Sequence, residues 1–522
     1  MDTLHRRVLA QADANPAAPA YLAPEERLSY ADLLARAARL AYVLRDAGVQ
    51  PGDPVGLMLP GSCWQAAAVQ AVLRCGGLFV PIDPAAPTAR LRAILEQAGI
   101  SCLVASDRTV LRLQELDASV CQRLRVIGPA RTEGVAASWS FDEVLSAPEL
   151  APQKPADDLA YLMFTSGSTG VPKGILHTHA SGLAYVERVV SVYALSRADR
   201  IGNFAPLHFD ISTLGYLAAP TIGAATVLIP DSVQLFPSSV ARLVAAEAVT
   251  IWYSAPFALQ RLLTHSDFRD QNLSALRWVL FGGEVFPPAQ LAELMSALPG
   301  ARFSNVYGPA EVNQCTYFHL PGPPTDTEAV PIGCPWADTH AVLRADDGSL
   351  NTGAGEGELL IATPTMMRGY WQRPDLDAQS FVVHGSPPRR YYRTGDRVQR
   401  DDAGRLYFRG RVDRQAKIRG YRVELDEVEA LAVALDAVVE CAALKGESER
   451  GEGIVVLFAQ LASGWSAADA EEVIKRALSA NLAAYAVPRR YVLQHEPLPR
   501  NSSAKLDRLA LGKRLAKVAT GS

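Results

Sequence analysis

Nothing in this sequence supplies a basic face. Lys and Arg total 51 against 55 Asp and Glu, a net charge of −4 over 522 residues, so a nucleic-acid partner is not expected. Long apolar runs are missing too. The longest, "LAAPTIGAATVLI" from Leu217, is broken by Pro220 and Gly223, and the opening "MDTLHRRVLAQADANP" has no secretory apolar core. The expectation is a cytoplasmic protein without a membrane partner. The seven cysteines (Cys63, Cys75, Cys102, Cys121, Cys315, Cys334, Cys441) are odd in number, scattered and free of any C-x-x-C pair, which argues against disulfides and a zinc knuckle. His177 and His179 alternate within "HTH" with no third ligand nearby in sequence, so packing rather than metal binding is expected of them. Tandem repeats and low-complexity tracts are absent.

What is present is an alternation of helix and strand signals. Ser29 and Asp32 resemble a capping box; Leu33, Ala37, Leu40 and Leu44 recur at helical spacing; Gly48 closes the helix; Val55 to Leu59 read as a buried strand. The unit repeats in kind. A helix over Trp64 to Arg74, a strand after Gly76 and Gly77, and a helix from Arg90 to Gln97 predict an α/β fold with largely parallel, helix-covered sheets. Gly128 to Asp158, rich in Ala, Pro and Ser, reads as a connection. Near Arg405 the composition shifts to "GRLYFRGRVDRQAKIRGYRVEL", with seven basic residues, most of them read as a solvated face. The length exceeds one ordinary domain. The expected division is a large domain over 1–412 and a small α+β domain over 413–522.

One loop carries chemistry. "YLMFTSGSTGVPKGI", Tyr161 to Ile175, sets glycines, hydroxyls and Lys173 just after an apolar run. Such a loop can offer backbone N–H groups, hydroxyls and a mobile positive charge to polyphosphate. It is not a Walker loop, because Pro172, Lys173 and Gly174 stand where G-K-[ST] is required after Gly167.

Further pieces follow in order: "VLFGGE" ending at Gly282, Gly283 and Glu284, "NVYGPAE" from Asn305 to Glu311, "YRTGD" ending at Asp396, "GRVDRQAKIRGYRVE" from Gly410 to Glu424, and "LPRNSSAKLDR" with Lys505. With "LRCGGLFVPIDP" upstream, the set resembles the adenylate-forming superfamily, most closely the amino-acid adenylation domains of nonribosomal peptide synthesis. The resemblance runs from about Leu28 to Arg508 and implies ATP and Mg²⁺. It places Thr165, Ser166, Gly167, Ser168, Thr169, Gly170 and Lys173 on the phosphates, and Glu311 on the metal. Asp396 and Arg411 fall at the ribose, and Gly282, Gly283, Glu284, Tyr307 and Gly308 around adenine. It makes Lys505 the bridge between attacking carboxylate and phosphate, and Asp413 the hinge of a mobile small domain. Two departures from the family pattern stand out: Ala310 replaces a threonine before the metal glutamate, and Ala504 a glycine before Lys505.

By the same resemblance Asp210 holds a substrate ammonium, with Ile211, Leu214, Tyr253, Leu280, Gly282, Val306, Gln314, Cys315 and Lys505 lining the pocket. Asp210, Leu214, Tyr253, Leu280 and Cys315 together look like stand-alone prolyl ligases, while Gly282 and Gln314 depart from them. The expected reaction forms aminoacyl-AMP from proline or a related small amino acid, then loads it on the phosphopantetheine thiol of a separate carrier protein, since no carrier sequence follows Lys505. Three alternatives stay open: a polar or modified amino acid such as hydroxyproline, serine or glutamine; an acyl-CoA ligase, against which Asp210 speaks; and a nucleotide-binding scaffold without catalysis.

Overall fold

A computed structural model describes residues 2–165, 172–325, 329–448, 451–500 and 506–519. The chain separates into two compact units. The first comprises Met1–Pro84, Leu95–Phe164 and Gly174–Val412, the second Ala85–Ile94, Thr165–Lys173 and Asp413–Ser522.

The first unit is built on three sheets. A nine-stranded sheet runs, in spatial order, Cys334–Pro335, Thr316–His319, Arg302–Tyr307, Trp278–Gly282, Ile251–Ser254, Arg200–Asn203, Ala225–Leu228, Pro19–Leu22 and Arg27–Ser29. Its six central strands are parallel; the outermost pairings are antiparallel. An eight-stranded sheet is parallel from Leu159–Thr165 through Leu78–Pro81, Pro54–Met58, Cys102–Ala105 and Arg125–Gly128 to Ala137–Ser140. The third sheet is antiparallel, centred on the twelve-residue strand Arg389–Arg400. The expected helix-covered, largely parallel sheets are therefore present.

Local chemistry explains the elements. Helix Tyr30–Asp46 starts at a reciprocal capping box between Ser29 and Asp32. Helix Cys63–Arg74, "CWQAAAVQAVLR", is buried on every face, which its small alanines permit and which an amphipathic stripe would not. Its Ala66, Ala67, Ala68 and Ala71 share one core with Leu33, Leu40, Val55 and Leu57.

Two sequence expectations need correction. Gly128 to Asp158 is not a bare connection: Ala137–Ser140 adds an edge strand, and Ser140 and Glu143 form a second capping box that starts helix Phe141–Ser146. The basic cluster is only partly a solvated face. Arg405 and Arg409 lie outside on Asp401 and Gln399, but Arg411 bonds the buried Asp396 and Arg414 bonds Glu429 and Asp426. His177 and His179 pack as expected. His177 donates from Nε2 to the Ala310 carbonyl at 2.9 Å, and its Nδ1 lies 3.2 Å from Ser181 Oγ; the His179 Nδ1 accepts from the Leu4 N–H at 3.4 Å.

The second unit carries a three-stranded sheet of Val438–Glu447, Gly453–Leu461 and Arg490–Gln494, a hairpin of Gln415–Ile418 with Tyr421–Glu424, and helices Leu425–Val433, Ala467–Asn481 and Arg508–Ala519. Its core is separate, packing Val423, Val428, Val455, Leu457, Ile474 and Leu478. Among the described residues no helix is long and apolar enough to cross a membrane.

Candidate active site

Parallel strands expose their loops at the carboxyl edge, where ligands of open α/β sheets bind. The nine-stranded sheet brings several of the expected residues there. Tyr253 pairs with Leu280 and Gly282 with Val306 in neighbouring strands, and Tyr307 follows at the strand end. A Cβ on Gly282 would collide with the Val306 carbonyl, so only glycine lets these strands end so close together.

Beyond Tyr307 the chain doubles back. The Cys315 N–H donates to the Tyr307 carbonyl at 2.9 Å, and strand Thr316–His319 returns antiparallel. This hairpin presents Gly308, Glu311, Gln314 and Cys315 in one loop. Gly308 faces the Asn313 backbone with no room for a Cβ, and Asn313 takes a left-handed φ of 54°, a conformation asparagine tolerates better than most residues.

Glu311 has no accessible surface. The Tyr370 hydroxyl donates to its Oε1 at 2.9 Å, and its backbone carbonyl accepts from Met367 N–H at 2.7 Å. Among the described residues there is no cluster of three or more His, Cys, Asp or Glu able to hold a metal. A lone hard carboxylate of this kind suits a Mg²⁺ that keeps waters and takes its remaining ligands from substrate phosphates.

Asp396 is 1% exposed and sits opposite Arg411 across two paired strands. Arg411 donates to Oδ1 and the Tyr307 hydroxyl to Oδ2, the latter at 2.5 Å. Tyr307, expected beside adenine, and Asp396 and Arg411, expected at ribose, are thus joined in one hydrogen-bonded group. Burial raises the Tyr307 phenol pKa well above its usual value, and the Asp396 charge adds to that.

Asp210 opens a short 3₁₀ turn, Asp210–Ser212, followed by a widened π-type turn over Leu214–Ala218. Such turns break the regular ladder and re-aim side chains, often at functional sites. The Asp210 Oδ1 accepts from the Ile211 N–H at 3.0 Å and its carbonyl from Thr213 Oγ1 at 2.6 Å. Thr213 Oγ1 in turn accepts from Asn313 Nδ2 at 3.4 Å, tying this turn to the Glu311 hairpin. Around it Leu214, Tyr253, Leu280 and Val306 share one core cluster, with Ile211 packed against it. The Tyr161, Tyr185 and Tyr253 phenols are all held protonated, by burial first and with help from the Asp210 charge.

Thr165 ends its strand with a buried Oγ1 that has no hydrogen-bond partner among the described residues, and Lys173 begins the next strand. Both fall within the second unit. Ser166, Gly167, Ser168, Thr169, Gly170 and Lys505 lie outside the described residues. Gly283, at φ 89°, and Glu284 follow strand Trp278–Gly282. Sequence reasoning missed Tyr370 and Tyr185. No motif marks them; they reach the site through long-range pairing, as when Gly369–Tyr370 pairs with Leu176 and Ile175.

Comparison with known proteins bears on the family of the chain. The AMP-binding enzyme family matches residues 8–371 and the AMP-binding enzyme C-terminal domain matches residues 427–505. An L-proline--[L-prolyl-carrier protein] ligase of Pseudomonas fluorescens is 34% identical over 99% of this chain and 100% of its own length. A ligase of the same description from Streptomyces coelicolor is 32% identical over 98% and 95%. In fold, the chain resembles the Vibrio cholerae adenylation domain AlmE solved with glycyl-adenosine-5'-phosphate, at TM-score 0.84, 24% identity and coverage of 99% and 98%. Matches to both family regions and to a relative over its full length leave one assignment: the chain belongs to the adenylate-forming AMP-binding enzymes.

Proposed function

We propose that the protein is an AMP-forming ligase. It activates a small α-amino acid, L-proline or a near relative, and passes the aminoacyl group to the phosphopantetheine thiol of a separate carrier protein. The observation that carries this reading is the end-to-end likeness to two prolyl-carrier-protein ligases, together with a carboxylate, Asp210, beside the buried apolar and phenolic side chains of Leu214, Tyr253, Leu280 and Val306.

In the first step a substrate carboxylate oxygen bonds the α-phosphorus of ATP as the bond to pyrophosphate breaks. Asp210 holds the ammonium, because a cation in such a pocket needs an anionic partner. The adenosine lies along Tyr307 and the backbone of Gly282 to Glu284, with Asp396, braced by Arg411, accepting the ribose hydroxyls. Thr165 and Lys173 take the β- and γ-phosphates with the loop between them, and Glu311 would hold Mg²⁺. When bound, that ion neutralises charge on the departing pyrophosphate. Lys505 bridges carboxylate and phosphate as negative charge builds. In the second step the carrier thiolate bonds the carbonyl carbon and AMP leaves. The division of the chain between Val412 and Asp413 supports a hinge at Asp413, which lets the small domain present Lys505 in one step and the Lys417–Glu424 hairpin in the other.

Dependence on the α-amine tests this reading. Wild type should support ATP–pyrophosphate exchange with L-proline and not with cyclopentanecarboxylate, and Asp210→Ala should lose the proline reaction. Efficient turnover of the amine-free acid with coenzyme A would instead make the protein an acyl-CoA ligase.

A further inference from the structure

Gln314 is 3% exposed, and its amide is held at one end only. Nε2 lies 3.4 Å from the Tyr185 hydroxyl, to which it donates, while Oε1 has no hydrogen-bond partner among the described residues. Buried amide oxygens are almost always paired, so an unpaired one marks a place where another group belongs. Tyr253 is near enough for the amide to ease its phenol pKa, yet its hydroxyl is not in bonding geometry with Oε1. A second buried polar atom nearby is also without a partner: Trp336 Nε1, on an indole that packs against the Tyr185 ring at 6.5 Å. The backbone N–H of Trp336 donates to the Cys315 carbonyl at 3.1 Å, setting this residue beside the one after Gln314. An unpaired acceptor and an unpaired donor therefore flank one tyrosine. Asn313, the residue before Gln314, donates to Thr213 Oγ1, which donates to the Asp210 carbonyl, so the Gln314 loop is tied to the proposed ammonium anchor.

An all-apolar substrate such as proline would leave Gln314 Oε1 unpaired. A hydroxyl or primary amide carries the donor that this oxygen lacks. Resting on the amino-acid-activating reading above, we propose that the substrate is a small amino acid of prolyl size whose far end carries a hydrogen-bond donor received by Gln314 Oε1. Tyr185 is the positioning residue that holds the amide with this oxygen toward the substrate.

The test is kcat/KM in ATP–pyrophosphate exchange for L-proline, cis- and trans-4-hydroxy-L-proline, 4-methoxy-L-proline, serine and glutamine, in wild type, Gln314→Val, Gln314→Met and Tyr185→Phe. At least one donor-bearing substrate should exceed proline by about tenfold or more in wild type, since a site built around a hydrogen bond rejects analogues that lack it. The methoxy compound, which accepts but cannot donate, should fall to the level of proline or below. Either Gln314 variant should erase the preference, and Tyr185→Phe should raise KM for the donor-bearing substrate by a clearly larger factor than KM for proline. A wild type that prefers proline over every donor-bearing substrate overturns the proposal, as does an equal response to methoxy and hydroxy forms or an unaltered ranking in both Gln314 variants. If no amino acid supports exchange, the activating reading fails first. Calorimetric titration with proline and 4-hydroxyproline then decides the pocket without turnover: tighter hydroxyproline binding upholds the proposal, and equal or absent binding overturns it.

Discussion

Replacing Asp396 by asparagine takes one oxygen and one negative charge from the junction of strands Arg389–Arg400 and Leu406–Arg411, leaving the side chain's shape intact. In wild type each carboxylate oxygen is engaged by one side chain, Oδ1 by Arg411 and Oδ2 by Tyr307. A carboxylate offers about four acceptor sites, so one remains on each oxygen, the number that two vicinal ribose hydroxyls need. Hydrogen bonds to a charged acceptor contribute about 1.5–3 kcal/mol each. Asparagine has a single oxygen to share between Arg411 and the ribose, so the loss in nucleotide binding should be about 3 kcal/mol, roughly a hundredfold in kcat/KM for ATP. The fold should weaken as well, by less than the ~3–5 kcal/mol of a broken buried ion pair because the amide oxygen still accepts from Arg411. The assay is pyrophosphate exchange at saturating amino acid with ATP and with 2'-deoxy-ATP, on protein whose circular dichroism matches wild type. Wild type should disfavour the deoxy nucleotide by about tenfold or more, and Asp396→Asn should treat the two nearly alike. A wild type indifferent to the 2'-hydroxyl, or a variant that keeps the discrimination, refutes the ribose role.

Lys505→Ala should lower aminoacyl-AMP formation by orders of magnitude while carrier loading from supplied aminoacyl-AMP persists; near-normal exchange would remove Lys505 from the first step. Asp413→Pro, which fixes φ near −65°, should depress carrier loading far more than exchange, and equal losses in both assays would reject the hinge. Burial pushes His5, His177 and His179 down to about 4 from the ordinary 6.5. The unfolded chain therefore takes up protons between pH 6.5 and 4 that the fold refuses, and stability is full above pH 6.5 and falls as pH drops through that window, by at most about 3 kcal/mol per histidine. The urea midpoint should follow this course, and His177→Gln should make the fall shallower; a midpoint flat from pH 7 to 4.5 would contradict it.

Ser29 with Asp32, the helix that carries Leu33, Ala37, Leu40 and Leu44, and the strand from Leu78 were readable because each rests on local chemistry: a cap, a periodicity, a pair of glycines. The strand Ala137–Ser140 was not, because its reason to be extended is the edge formed by Arg125–Gly128, which no local pattern announces. The site divides the same way. Leu280, Glu311 and Asp396 stand in recognisable motifs, and Asp210 and Tyr253 follow from the same family resemblance. Tyr370, which donates to Glu311, lies 59 residues away in sequence, and Tyr185, which accepts from Gln314, lies 129 away. Partners at that separation are set by how sheets and helices pack. Gln314 was visible as a departure from an apolar position, but only the structure shows that one end of its amide is held and the other is not.

The central claim is that this chain activates an amino acid by adenylation for a carrier thiol. Its most direct test is ATP–pyrophosphate exchange by the purified protein across a panel of amino acids, with and without Mg²⁺, followed by mass spectrometry of an added phosphopantetheinylated carrier protein. The account predicts exchange only when both Mg²⁺ and a suitable small amino acid are present, and a carrier mass increased by that aminoacyl group. Exchange independent of any amino acid, or amino-acid-dependent exchange that loads coenzyme A and never a carrier, would contradict it.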